Sequence, residues 1–195
     1  MPAEVLSYFL KNSDRRIRLA FQVVLQCAPF LKGLKVSCVI TVDSQSYGIL
    51  RELMDGLGIE YHRLSESGGR CLVLFYRPEE LEAYLKRAEV YALICEYGYA
   101  AMELPEMLGR LSQRVAEYEE MNLGFPHEIG AFLGYPAGDV RGFIRNGGKD
   151  FLMTGYWKVY GNVPAAKMIF NRYDRAKNWA VNEFLTGKSI REIAL

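Results

Sequence analysis

The chain predicts an α+β fold: a sheet of about four mixed or antiparallel strands packed with helices. Three observations carry this. Lys35 to Val42 is a β-branched run, and 59–64 and 70–77 read as two further strands. Helical periodicity fills most of the remaining chain. The link S-E-S-G-G at 65–69 is too short for a parallel crossover, so the strands flanking it pair as an antiparallel hairpin.

In order, residues 3–10 form a short helix. A longer helix starts at Asp14, with Ile17, Phe21, Val24 and Leu25 at helical spacing; Pro29 interrupts it and Gly33 closes it. The first strand follows, then a helix over 45–57 that turns Leu50, Leu53, Met54 and Leu57 inward. I-E-Y-H-R-L alternates as a half-buried strand does, whereas R-C-L-V-L-F-Y-R is apolar almost throughout and belongs at the sheet centre. Pro78 opens a helix at its first turn, with acids beside it where the positive helix end favours them. Helices over about 88–97 and 105–121 come next, then two short ones at 126–133 and 138–146 that form a helix-turn-helix-like corner. A strand over 151–160 returns to the sheet, a last helix spans 164–186, and S-I-R-E-I-A-L adds a final turn.

A chain of 195 residues suits a single domain over 1–195. The formal net charge of +1 supplies no general attraction to nucleic acid or to an anionic membrane. No apolar run approaches the ~20 residues of a membrane helix, so no membrane partner is expected. The first residues, with Glu4 and the charged K-N-S-D-R-R that follows, do not resemble a signal peptide. Cys27, Cys38, Cys71 and Cys95 are far apart and form no C-x-x-C pair, so reduced thiols and a cytoplasmic location are expected.

The segment F-P-H-E-I-G-A-F-L-G-Y-P-A-G-D-V-R-G-F-I at 125–144, followed by G-Y-W-K-V-Y-G-N, resembles an uncharacterised bacterial family known only as a domain of unknown function. The likeness extends to C-A-P-F-L-K-G-L-K at 27–35, L-V-L-F-Y-R-P at 72–78, and F-N-R-Y and G-K-S-I downstream. The resemblance implies no activity. Relatives with a histidine before the cysteine at 27, or with cysteines near W-K-V-Y and F-x-x-Y, differ from this chain, which has Gln26, Met153, Tyr156 and Lys177 there. A degenerate redox or metal protein is therefore a third reading of the function. No metal ligand set is assigned, and no cofactor is specified.

Four features bear chemistry. His127 and Glu128 could supply an acid and a base, although neighbouring helix residues point about 100° apart; cap chemistry explains them as well. H-E-x-x-H fails, because position 131 is Ala. Strand alternation would place Tyr156, Lys158 and Tyr160 on one face, fit to hold a planar or anionic ligand, with Trp157 in the core. The 126–146 corner has helix-turn-helix spacing and presents Arg141 and Arg145, yet lacks the amide and hydroxyl side chains that usually read bases. Cys27 is a thiol of either reactive or buried type. The leading expectation is a cytosolic protein that binds a small anionic or aromatic ligand between the His127 corner and the Tyr156–Tyr160 strand, with catalysis left open. The alternative is a regulator that uses the corner, Arg141 included, on DNA or on a partner protein.

Overall fold

The computed structural model describes residues 3–121 and 124–194. It opens with α1 (Ala3–Leu10) and α2 (Arg15–Leu31). The Asp14 carboxylate accepts from the amides of Arg16 and Ile17, which occupies two donors that a helix start leaves open. Pro29 does not interrupt α2, contrary to the reading from sequence. It lies in the last turn, where its missing N–H forfeits one helical bond and no more. Gly33, at φ +64°, then ends the helix, and the Leu34 amide donates back to the Pro29 carbonyl at 2.8 Å.

The main sheet has three strands: β1 (Ser37–Asp43), β2 (Glu60–Ser67) and β3 (Arg70–Tyr76). They run antiparallel in the order β1-β3-β2, with a register shift in β2 between Arg63 and Ser65. The apolar β3 is central, as its composition requires. Its alternate residues feed two cores. Cys71, Val73 and Phe75 join Cys38, Ile40 and Val42 of β1 against α1, α2, α3 (Ile49–Met54), α9 (Val163–Leu185) and α10 (Ile190–Ile193). Leu72, Leu74 and Tyr76 face α4 (Pro78–Leu85), α5 (Ala88–Cys95), α6 (Leu104–Met121), α7 (Ile129–Phe132) and α8 (Ala137–Arg145). The sheet thus lies between two helical layers, each hiding one of its faces. No helix among the described residues is long and apolar enough to cross a membrane.

The fourth expected strand is absent from this sheet. Residues 151–160 instead make a separate two-stranded hairpin, β4 (Met153–Thr154) with β5 (Lys158–Val159). The reason is local. The Gly155 amide donates to the Trp157 carbonyl at 3.1 Å, which reverses the chain. Gly155 lies so close to α9 that a Cβ there would come within 2.2 Å of the Phe170 ring. The hairpin therefore folds over α9 and builds a small third core of Trp157, Val159, Ala166, Phe170 and Tyr173. This reversal also breaks the alternation that was to align Tyr156, Lys158 and Tyr160.

Candidate functional site

Glycines set the shape of the corner. Gly130 of α7 faces α8 so closely that a Cβ would lie 2.9 Å from Val140 Cγ2. Gly134 turns the chain between the two helices at φ +74°, a conformation glycine adopts at little cost. Gly142 of α8 receives the Tyr160 ring, whose Cγ would lie 2.5 Å from an added Cβ. Helix-on-helix and helix-on-hairpin contacts here are thus backbone-close.

One buried carboxylate ties corner to hairpin. Asp139, in the first turn of α8, accepts from Trp157 Nε1 (2.7 Å) and from the amides of Tyr160 (2.8 Å) and Gly161 (3.0 Å). Sequence reasoning missed this residue. The available signal was an acid in a helix's first turn within the same punctuated stretch as a buried tryptophan.

Between corner and hairpin lies a cavity of about 300 Å³. Ile129, Gly130 and Val140 line its helical side, and Trp157 with Tyr135 its flank. These two rings stack, with centroids 5.2 Å apart. The remaining lining is His127, Phe143, Lys158, Thr154, Gly155 and Asp139, whose carboxylate is already engaged by three donors. The walls are predominantly apolar. Its two basic residues meet one ring: the His127 imidazole packs edge-on to Phe143 at 4.7 Å, and Lys158 Nζ lies 5.5 Å from the same ring. Lys158 Nζ also donates to the Gly148 carbonyl at 2.7 Å and sits 4.8 Å from the Phe151 ring. One of its three N–H donors is thereby used. His127 is held below the ordinary histidine pKa by burial, which the nearby Glu128 charge partly offsets.

The residues singled out from sequence divide sharply. His127 and Lys158 converge on the cavity. Glu128 does not join them: it is fully buried, and its Oε1 accepts from Arg114 and, at 3.3 Å, from Tyr99. Its neighbour faces the cavity while it faces α6, because consecutive residues of a helical turn diverge. Tyr156 lies in the hairpin turn, with its hydroxyl on Asp174 Oδ1 (3.0 Å) and its ring on Phe170 and Tyr173, away from the cavity lining. Tyr160 packs on Gly142 instead of standing beside Lys158. Arg141 points to the outer side of α8, where it pairs with Glu96, the residue that caps the end of α5. Cys27 is buried, and its thiol is pushed well up by burial and by Cys38. Among the described residues no three His, Cys, Asp or Glu side chains gather as a metal site.

A family model, described as protein of unknown function (DUF3793), matches residues 23–194. The chain belongs to the DUF3793 family. No curated protein and no solved structure matches it. The corner, Asp139, the hairpin and the cavity between them all lie within the DUF3793 region.

Proposed function

We propose that this protein binds a small amphipathic anion in the cavity between the 126–146 corner and the β4–β5 hairpin. The observation that carries this reading is the pairing of apolar walls with two basic groups on one ring, His127 and Lys158 against Phe143. A partly open hollow of this size, mostly apolar with a few convergent polar groups, is what small-molecule sites offer. The ligand's apolar or aromatic body would lie beside Val140, Ile129 and Trp157. Its negative group would take the remaining Lys158 donors and, in acid, the His127 imidazolium. Arg141, Tyr156, Tyr160 and Glu128 take no direct part; Glu128 and Tyr160 support the walls. Four free cysteines, three of them buried, support a reducing, cytoplasmic setting.

The test is ligand-observed NMR with benzoate, phenylacetate and indole-3-acetate, each against its neutral amide. Carboxylates should bind the wild type, weaken about tenfold in Lys158→Ala, which corresponds to about 1.4 kcal/mol, and be excluded by Val140→Phe. Equal binding by all three proteins, with circular dichroism reporting intact folds, ends the proposal.

Nucleic-acid recognition by the corner draws less support. Val140 and Gly142 of α8 are buried, Arg141 is engaged by Glu96, and α7 is a single helical turn. A DNA-reading helix would need its basic face turned outward and unpaired.

A further inference from the structure

The hairpin that closes the cavity has two directly opposed pairs, Met153 with Val159 and Thr154 with Lys158. Opposed residues of an antiparallel pair share a face, with Cβ atoms about 5 Å apart, and successive residues change faces. Val159 is fully buried, and Met153 packs against the same third core. Thr154 and Lys158 therefore stand together on the other face, and both line the cavity. Thr154 is exposed, so it belongs to the mouth of the hollow. Among the described residues its hydroxyl has no hydrogen-bond partner. The Lys158 ammonium beside it is held in place by the Gly148 carbonyl at 2.7 Å and by the Phe143 and Phe151 rings at 5.5 and 4.8 Å. A free hydroxyl and two free ammonium N–H groups thus lie side by side at the rim.

The charges of the wall limit what this pair can accept. Lys158 is the only lining cation at pH 7, because burial holds the His127 imidazole neutral there. Asp139 puts a carboxylate in the same wall, and its three donors, an indole and two backbone amides, carry no charge. A dianion would bring two negative charges to a wall that offers one ammonium and already holds one carboxylate. A monoanion brings one, which the ammonium matches. The apolar remainder, Ile129, Val140 and Trp157, suits the body of such a ligand.

We propose that Thr154 determines the specificity of this site: with Lys158 opposite it on the hairpin, it grips the two oxygens of a monocarboxylate, so that the ligand is an arylalkyl carboxylic acid and not a phosphate monoester. The hydroxyl donates to one oxygen and the ammonium to the other. Both are hydrogen bonds to a charged acceptor, the stronger kind. This grip presupposes the ligand cavity proposed above, and it names the chain atoms that hold the charged end.

The test is ligand-observed NMR titration of the intact protein with phenylacetate, phenylacetamide and phenyl phosphate, slightly above neutral pH, where the phosphate is a dianion. In the wild type, phenylacetate should bind at least about tenfold more tightly than phenyl phosphate. Thr154→Val deletes the hydroxyl and keeps the shape; it should weaken phenylacetate about fivefold and phenylacetamide by no more than about twofold. Thr154→Ser should bring phenylacetate back to within about twofold of the wild type. Unchanged phenylacetate affinity in Thr154→Val, or an equal loss for acid and amide, overturns the proposal. Phenyl phosphate binding as tightly as phenylacetate also overturns it, and that comparison needs no variant to fold. Lys158→Ala separates the grip from the cavity. If it weakens phenylacetate and Thr154→Val does not, the grip fails and the cavity reading stands. If neither variant nor Val140→Phe changes binding, or if phenylacetate does not bind, the cavity reading fails and the grip with it.

Discussion

Asp139 and Trp157 are joined by a 2.7 Å hydrogen bond from the indole N–H to a buried carboxylate. One residue belongs to α8 and the other to the hairpin, so this bond sets the distance between the two walls of the cavity. The same carboxylate receives two backbone amides, from Tyr160 and Gly161. Removing it strands several donors at once. Asp139→Ala should destabilise the protein by about 3 kcal/mol or more, and Asp139→Asn, which keeps an acceptor, by about 1–2 kcal/mol. Urea unfolding measures both. Near-ordinary stability in Asp139→Ala would show that the carboxylate is not what holds the hairpin down.

Gly142 and Gly109 form a matched pair. Both sit inside helices, where alanine normally stabilises by up to about 1 kcal/mol. Gly109 of α6 has open space around a new Cβ, whereas Gly142 has Tyr160 at 2.5 Å. Gly109→Ala should raise stability by about 0.5–1 kcal/mol. Gly142→Ala should lower it by about 1–3 kcal/mol by pushing the tyrosine off its seat. Thermal denaturation of the two single variants gives the sign directly.

Glu128, fully buried, pairs with the partly exposed Arg114 of α6 and so links the corner to that helix. Arg114→Met leaves the carboxylate buried with Tyr99 as its remaining partner, at a cost of about 3 kcal/mol. Arg114→Met combined with Glu128→Met should recover much of that loss, since both charges are then gone. A double-mutant cycle in urea reports the coupling; additive losses would mean that the two charges do not act as a pair.

His127 gives the ligand site a pH dependence. Its folded-state pKa lies below the ordinary value near 6.5, chiefly through burial. The imidazole is therefore neutral at pH 7 and gains its charge only as pH falls through that lowered value. Affinity for benzenesulfonate, which stays ionised throughout, should rise on acidification. His127→Gln should flatten the profile. For stability the sign is opposite: the contribution is present above the unfolded-state value and is lost as pH falls through the folded one.

Glu183 couples α9 to the end of α2. Lys188 and then Lys32, both at 2.7 Å, hold its carboxyl below the ordinary value. The stability this supplies is complete above the unfolded carboxyl's pKa and disappears as pH falls through the depressed one. Unfolding midpoints taken down the acid range should drop less steeply in Glu183→Gln. Because Lys32 Nζ also lies 4.6 Å from the Trp179 ring, tryptophan emission should shift in the same pH window.

Much of this architecture can be read from residue order. The apolar run of β3 names the central strand, the five-residue link names the hairpin, and Pro78 and Gly33 mark helix ends where they were expected. His127 and Lys158 line one cavity, where the sequence expected the corner to meet the aromatic segment. The other residues grouped with them lie elsewhere. Strand alternation wrongly grouped Tyr156 and Tyr160 with Lys158, because a turn at Gly155 interrupts the period. Adjacency wrongly joined Glu128 to His127, because one turn of helix sends them apart.

Local patterns decided which segments became helix or strand, for propensity and periodicity act over a few residues at a time. Packing alone decided which side chains share a space. Asp139 became the anchor because α8 and the hairpin that follows it close on a carboxylate whose three donors come from residues 157–161. Such electrostatic surroundings are properties of distance through space, which residue order does not specify.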